Sequence, residues 1–170
     1  MVTIEDLVPQ HFPVAAGWLS KTAINRWLTA EWRNRQVDAG VVAIAVRNRK
    51  NRLFLVRSDD TPCGLVGLAD IDPVDHTAMV WYLLGEDAFA GRGITSDAVR
   101  QVGHLAFASL QITSIYAWIM EDNVSSRRVL EKCNFRECGR LRKAADSSGR
   151  QVDRVYFDIT AQDIVEIQEK

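Results

Sequence analysis

The sequence is poor in the residues that would commit it to a specialised class. Only three of its 170 residues are cysteine, Cys63, Cys133 and Cys138. An odd number with no repeating spacing argues against a disulfide framework and for reduced thiols in a cytoplasmic protein. The three histidines, His11, His76 and His104, stand at spacings that supply no zinc site, so no metal is expected. No apolar run approaches the ~20 residues that span a bilayer. The N-terminal MVTIEDLVPQHF carries early acidic residues and no apolar core, so no signal peptide is read there. Neither sign of charge dominates: 21 Lys and Arg face 22 Asp and Glu, for a net charge of −1. That balance lacks the basic excess of a dedicated nucleic-acid binder. With no repeat, low-complexity tract or linker, residues 1–170 read as one domain, long enough for a proper core.

What the chain does contain is alternating periodicity. Thr3 to Leu7 suit a short strand. From about Pro9 to Trp32 the spacing is helical, broken near Ser20 to Ala23, which predicts two short helices. VVAIAVR, after Gly40, suits either a strand or a buried helix. RLFLVRS, DDTPCG and LVGLADID read as strand, turn and strand, the turn marked by Asp59, Asp60, Pro62 and Gly64. HTAMVWYLLG is apolar enough for a strand buried on both faces. Gly93 to Leu110 sets Ile94, Ala98, Val102, Leu105 and Ala106 on one helical stripe. SIYAWIM predicts a strand and NVSSRRVLEKC a helix, and FRECGRLR and DRVYFDI predict two strands around a turn at DSSGR. The fold class is therefore mixed α/β rather than a regular parallel array.

The stretch GEDAFAGRGITSDAV, Gly85 to Val99, carries the first chemical signal. An arginine between two glycines at a strand-to-helix junction brings backbone N–H groups and a helix N-terminus to one point, a setting for phosphate. Glycine permits φ > 0 and close approach of the backbone. The Walker pattern fails, because no Gly-Lys-Ser/Thr follows at the required distance. The dinucleotide fingerprint fails too, because Ser96 stands where Gly or Ala is needed. A pyrophosphate loop of the acyl-CoA type remains, beside the plainer reading of a flexible turn before a helix. A second segment, EDNVSSRRVLEKCNFRECGRLR, places Asn123 as a helix cap with Ser126 three residues on.

Together AGRGITSDAV and N-x-x-S-x-x-V-L-E-K-x-x-F-x-x-x-G-x-L-R resemble the GNAT family of acetyl-CoA-dependent N-acyltransferases, near its ribosomal-protein and amino-sugar branches. The resemblance implies a mostly antiparallel sheet with one splayed strand pair, flanked by helices. It implies acetyl-CoA as acyl donor, with the pyrophosphate at Ala90, Gly91, Arg92, Gly93, Ile94 and Thr95. It implies the pantetheine arm along Leu83, Leu84 and Gly85, with Asn123 and Ser126 near the thioester sulfur. Some features depart from the family pattern. Ala90 replaces a common Arg or Gln, Thr95 a common Gly or Ala, and Asn134 a common Gly. Leu130 stands where many relatives carry an acidic tyrosine, which leaves Ser126 as the nearest hydroxyl. Ala145, with Asp146 beside it, stands where a carboxylate base is found in the ribosomal-type branch.

The resemblance gives Ser126 and Asp146 as catalytic candidates, with Asp72, Asp75, His76 and Glu86 as further polar groups around the slot. Trp27, Trp32, Trp81 and Asp72 are candidates for the acceptor side. Aromatics at helical spacing are as readily core residues. The expected partner is a small-molecule amine or a peptide N-terminus, with no membrane and no nucleic acid. A non-catalytic acyl-CoA-binding module is the third reading. The resemblance allows a monomer or homodimer, with the C-terminal AQDIVEIQEK either a partner-facing helix or a frayed tail.

Overall fold

The computed structural model describes residues 1–163. Most of the C-terminal segment read as helix or tail, 164–170, lies outside them. Seven strands form one sheet in the order β1-β2-β3-β4-β5-β7-β6. They are β1 (Val2–Asp6), β2 (Arg52–Ser58), β3 (Thr61–Asp72), β4 (Thr77–Leu84), β5 (Ser114–Met120), β6 (Arg136–Ser147) and β7 (Arg150–Thr160). The helices are α1 (Phe12–Ser20), α2 (Thr22–Asn25), α3 (Ala39–Arg47), α4 (Ile94–Ser109) and α5 (Val124–Lys132).

Every neighbouring pair of strands is antiparallel except β4 and β5. These two run parallel and pair only at Thr77 with Ser114, Ala78 with Ile115 and Met79 with Tyr116. Beyond Met79 they separate, although β4 stays paired to β3 as far as Leu84 and β5 to β7 as far as Met120. The splayed pair expected from the resemblance is thus present, and the sheet is mixed and largely antiparallel.

Alternation along the strands divides the core between the two faces. Val80 of β4 joins Ile115, Ala117 and Ile119 of β5, and Val155 and Phe157 of β7, against α4 and α5. Trp81 and Leu83 turn to the other face and join Leu53, Leu55 and Leu65 against α1 and α3.

One open reading of the sequence is settled and two are revised. VVAIAVR is helix, because Asp38 caps α3 by accepting the Val41 N–H at 2.9 Å. The turn expected over DDTPCG contracts to Asp59 and Asp60, both at positive φ. Pro62 and Gly64 lie inside β3, Pro62 where the β2–β3 register shifts between Val56 and Arg57; an irregular ladder is where a strand accommodates a residue with no N–H. The second N-terminal helix ends at Asn25 instead of reaching Trp32. From Arg26 to Arg35 the chain runs in turns, with Asn34 at φ 55°. Among the described residues no helix is long and apolar enough to cross a membrane.

Candidate active site at the splay of the sheet

The wedge between β4 and β5 opens into two cavities. The larger holds about 560 Å³ and lies between the end of β4, the 89–96 turn and α5. The smaller holds about 40 Å³ between Met79–Tyr82 on β4 and Ala117–Ile119 on β5. Trp27, Leu28, Tyr82, Asn123 and Ser126 border both. The two cavities therefore meet at the N-terminus of α5.

The larger cavity is framed by the glycine pair. Gly91 and Gly93 have φ 76° and 78°, and a Cβ at either would meet nothing within 4 Å. The glycines are needed for backbone handedness, not for room. Gly93 caps the 16-residue α4 from the left-handed region. The first intrahelical bond runs from the Asp97 N–H to the Gly93 carbonyl. The N–H groups of Ile94, Thr95 and Ser96 therefore have no helical partner, and all three residues line the cavity. Ala90 lines it as well, as do Arg128 and Lys132 on α5. Arg92 is exposed and does not; its guanidinium lies 5.3 Å from the centre of the Phe89 ring, which does. Two cations and a helix N-terminus facing one cavity suit a polyanionic donor.

On β4, Leu83 and Leu84 line the same cavity, along an edge with no β5 partner. Gly85 does not line it. Its N–H goes to the Cys63 carbonyl at 2.7 Å and its carbonyl accepts the Lys21 ammonium at 2.7 Å. A Cβ on Gly85 would come within 2.2 Å of the Trp18 ring, so glycine there admits the indole.

Where the cavities meet, Asn123 is buried and caps α5: its Oδ1 accepts the Ser126 N–H at 3.2 Å. Tyr82 donates its hydroxyl to the Ser126 carbonyl at 3.1 Å. Burial pushes the Tyr82 pKa far above that of an ordinary phenol, so the hydroxyl stays a donor. The two contacts fix the first turn of α5 from opposite sides and hold Ser126 between the cavities. Leu130 is fully buried one turn further along the helix.

The smaller cavity is aromatic. Trp27, Trp32, Trp81 and Trp118 all line it, and Trp32 and Trp81 pack with ring centres 6.0 Å apart. A neighbouring hollow of about 250 Å³ shares Thr29, Trp32, Met79 and Trp81 with it and adds Glu31 and Asp70. Burial first, and the Asp70 charge second, raise the Glu31 pKa.

The remaining polar candidates lie elsewhere. Asp72 closes the β3–β4 turn by accepting the Val74 and Asp75 N–H groups at 2.7 and 3.0 Å, which lower its pKa. Asp146, in the β6–β7 hairpin, is exposed and accepts the Gly149 N–H at 2.9 Å. Glu86 accepts the Trp18 indole N–H at 2.6 Å. No carboxylate or imidazole of the described residues lines either of the two meeting cavities. Nor do three or more metal-ligating side chains cluster among the described residues.

Sequence reading passed over Phe89, Tyr82, Arg128, Lys132 and Trp118. A signal existed for part of this set. Ser125, Arg128, Val129 and Lys132 follow i, i+3, i+4, i+7 spacing and share a helix face with the capped serine turn. Trp118 carried no such mark within SIYAWIM.

YdaF of Bacillus subtilis (strain 168), named a candidate ribosomal N-acetyltransferase, is 30% identical over 101 residues, 59% of this chain and 55% of that one. YjcK of the same strain, named a probable N-acetyltransferase, is 40% identical over 93 residues, 54% and 51% of the two chains. The matches thus span little more than half the length of these two curated relatives. The crystal structure of spermidine N-acetyltransferase from Vibrio cholerae in complex with CoA and spermine superposes with a TM-score of 0.85 at 18% identity, over 96% of this chain and 98% of that one. Residues 2–136 match the acetyltransferase (GNAT) domain, and the chain belongs to that family.

Proposed function

We propose that the protein transfers an acetyl group from acetyl-CoA to a primary amine of a small molecule, such as an amino sugar, an amino acid or an antibiotic-like amine. The observation that carries this reading is the meeting of two unlike cavities at Ser126. The larger offers unpaired N–H groups and two cations, the smaller an aromatic slot.

On this reading the N–H groups after Gly91 and Gly93, with Thr95, hold the donor's pyrophosphate. Arg128 and Lys132 balance its charge, and Arg92 adds to the field from outside. The open edge of β4 at Leu83 and Leu84 orients the pantetheine amides, and Gly85 serves by admitting Trp18 beneath that edge. The acceptor nitrogen enters past Trp27, Trp32, Trp81 and Trp118 and attacks the thioester carbonyl. A new C–N bond forms as the C–S bond breaks; the Ser126 hydroxyl passes its proton to the departing thiolate and regains one from the nitrogen, which sheds it as the amide forms. An ammonium with a pKa near 10 must first lose a proton. Water in the slot takes it, since neither cavity is lined by a base. Asp146 serves as base only through intervening water, and Asp72 shapes the β3–β4 turn at the acceptor side. The protein acts as a single domain in the cytoplasm.

A second reading, acetylation of a protein N-terminus, draws on the irregular 26–35 segment, whose turns leave the acceptor mouth without a helical wall. The experiment is CoA-thiol release from acetyl-CoA across amino-sugar nucleotides, amino acids, polyamines, aminoglycosides and short peptides, with Ser126→Ala alongside. A small-molecule hit that weakens in the variant upholds the first reading. A peptide-only hit replaces it with the second. Tight acetyl-CoA binding with no turnover of any amine makes the protein a binding module.

A further inference from the structure

Trp118 forms part of the β5 wall of the aromatic slot. Its indole carries two guanidiniums, with Arg154 Cζ 4.2 Å and Arg33 Cζ 5.9 Å from the ring centre. A third, Arg26, lies 4.3 Å from the centre of Trp27. Trp27 and Trp118 pack on the same buried group of Met120, Ala145 and Val152, so the three cations crowd one rim.

Several arginines elsewhere in the protein are matched by carboxylates. Arg57 pairs with Glu5, Arg127 with Glu137, and Arg140 with Glu121 and Asp153. Among the described residues no carboxylate comes within ion-pair distance of Arg33 or Arg154. Arg33 uses Nε and Nη2 on the Leu28 carbonyl, at 3.0 and 2.9 Å, which pins it while leaving Nη1 unengaged. Arg154 keeps a buried Nε with no partner. Burial and then the Arg154 charge depress the Arg33 pKa, against a smaller opposing pull from Asp146. Two fixed guanidiniums on one aromatic ring are held in a mutually repulsive arrangement that an oxyanion would relieve. Trp118 and Ser126 line the same small cavity, so one small molecule can reach both.

We propose that the acceptor amine bears an anionic group, a carboxylate or a phosphate, held by Arg33 and Arg154 at the Trp118 rim while the amine points toward Ser126. The proposal rests on the acetyl-transfer reading for the role of the amine, but not for the anion site itself. Glu31 and Asp70 line the hollow that adjoins the slot, and their charge favours an acceptor that also carries an ammonium. The acceptor is thus a zwitterion.

The test uses acceptor pairs that differ only in the anion: 4-aminobutyrate against butylamine, and 2-aminoethyl phosphate against ethanolamine, with spermidine as a polycationic control. Binding is read by tryptophan fluorescence in the presence of CoA, and turnover separately by CoA-thiol release. The anionic member of at least one pair is expected to bind about tenfold tighter. Arg154→Gln is expected to erase that preference and Arg154→Lys to keep part of it, both with unchanged acetyl-CoA affinity and melting temperature. The pair with the larger ratio identifies the anion. Equal or tighter binding of the members without the anion or of spermidine overturns the proposal, as does an undiminished preference in Arg154→Gln or no binding by any member. An intact anion preference without turnover of any amine overturns the acetyl-transfer reading and leaves the anion site standing. Turnover only of amines without the anion does the reverse.

Discussion

The two halves of the slot are built in opposite ways. The donor half is assembled from short local motifs: a left-handed glycine pair, the first turn of α4, and a capped turn on α5. Its polar groups are mostly backbone N–H groups, whose positions follow from helix geometry. The acceptor half is assembled from distant side chains: Trp27 and Trp32 from irregular turns, Trp81 from β4 and Trp118 from β5. Its surfaces are indoles and guanidiniums, whose positions follow from tertiary packing. A backbone site tolerates drift in sequence as long as the handedness holds. A side-chain site can be rewritten one residue at a time, which suits the half that selects the acceptor.

Substitutions can break or sharpen that contrast. The largest effect is expected where a substitution breaks the packing behind the slot. Gly85→Val drives a Cβ into the Trp18 indole and costs about 3 kcal/mol, read as a drop in thermal stability with both ligand affinities reduced. Gly93→Ala is confined to the donor half. A residue with a Cβ at φ 78° costs about 1–2 kcal/mol, and acetyl-CoA affinity should fall about tenfold with acceptor KM unchanged. Trp118→Leu should give the mirror image, a higher acceptor KM with acetyl-CoA affinity retained. If either variant moves both constants equally, the two halves are not separable. Tyr82→Phe should cost about 1 kcal/mol by freeing the Ser126 carbonyl, and should lower kcat more than it alters either affinity. Because the folded protein holds the Tyr82 proton more tightly than the unfolded chain does, the Tyr82 contribution to stability is level below about pH 10 and is lost as the pH rises past it. That alkaline fall should be shallower in Tyr82→Phe. Asp72→Asn has the smallest effect. The carboxylate's lowered pKa stabilises the fold above the ordinary carboxylate range, so its removal weakens the β3–β4 turn slightly near neutral pH, and donor binding is untouched because Asp72 does not line the donor cavity.

The same contrast explains what could be read before the structure was known. Short-range features were legible: the α4 stripe, the Asn123 cap, the two glycines and most strand runs all follow from spacing within a few residues. Asn134, at φ 62°, fills the left-handed position that glycine holds in many relatives. What escaped depended on partners far away in the chain. Exposed Arg128 and Lys132 look like any solvated helix face until the 89–96 turn is placed opposite them. The helical spacing of Trp27, Leu28 and Trp32 suggested that the second short helix runs on to Trp32, but their burial is satisfied by converging from turns. Asp72 looked like a recognition residue because loop acids often are, whereas two nearby N–H groups account for it. The β-branched run of α3 was ambiguous because its deciding feature, the Asp38 cap, lies just before it.

The three-residue pairing between β4 and β5 has a kinetic consequence. A cleft between two domains has to close on its ligand, and ordering the moving parts lowers affinity. Here each wall is a strand already zipped along its far edge, β4 to β3 and β5 to β7, and the walls are joined at their root. The slot's strand walls exist at working width before either substrate arrives, and no hinge has to close before the amine meets the donor.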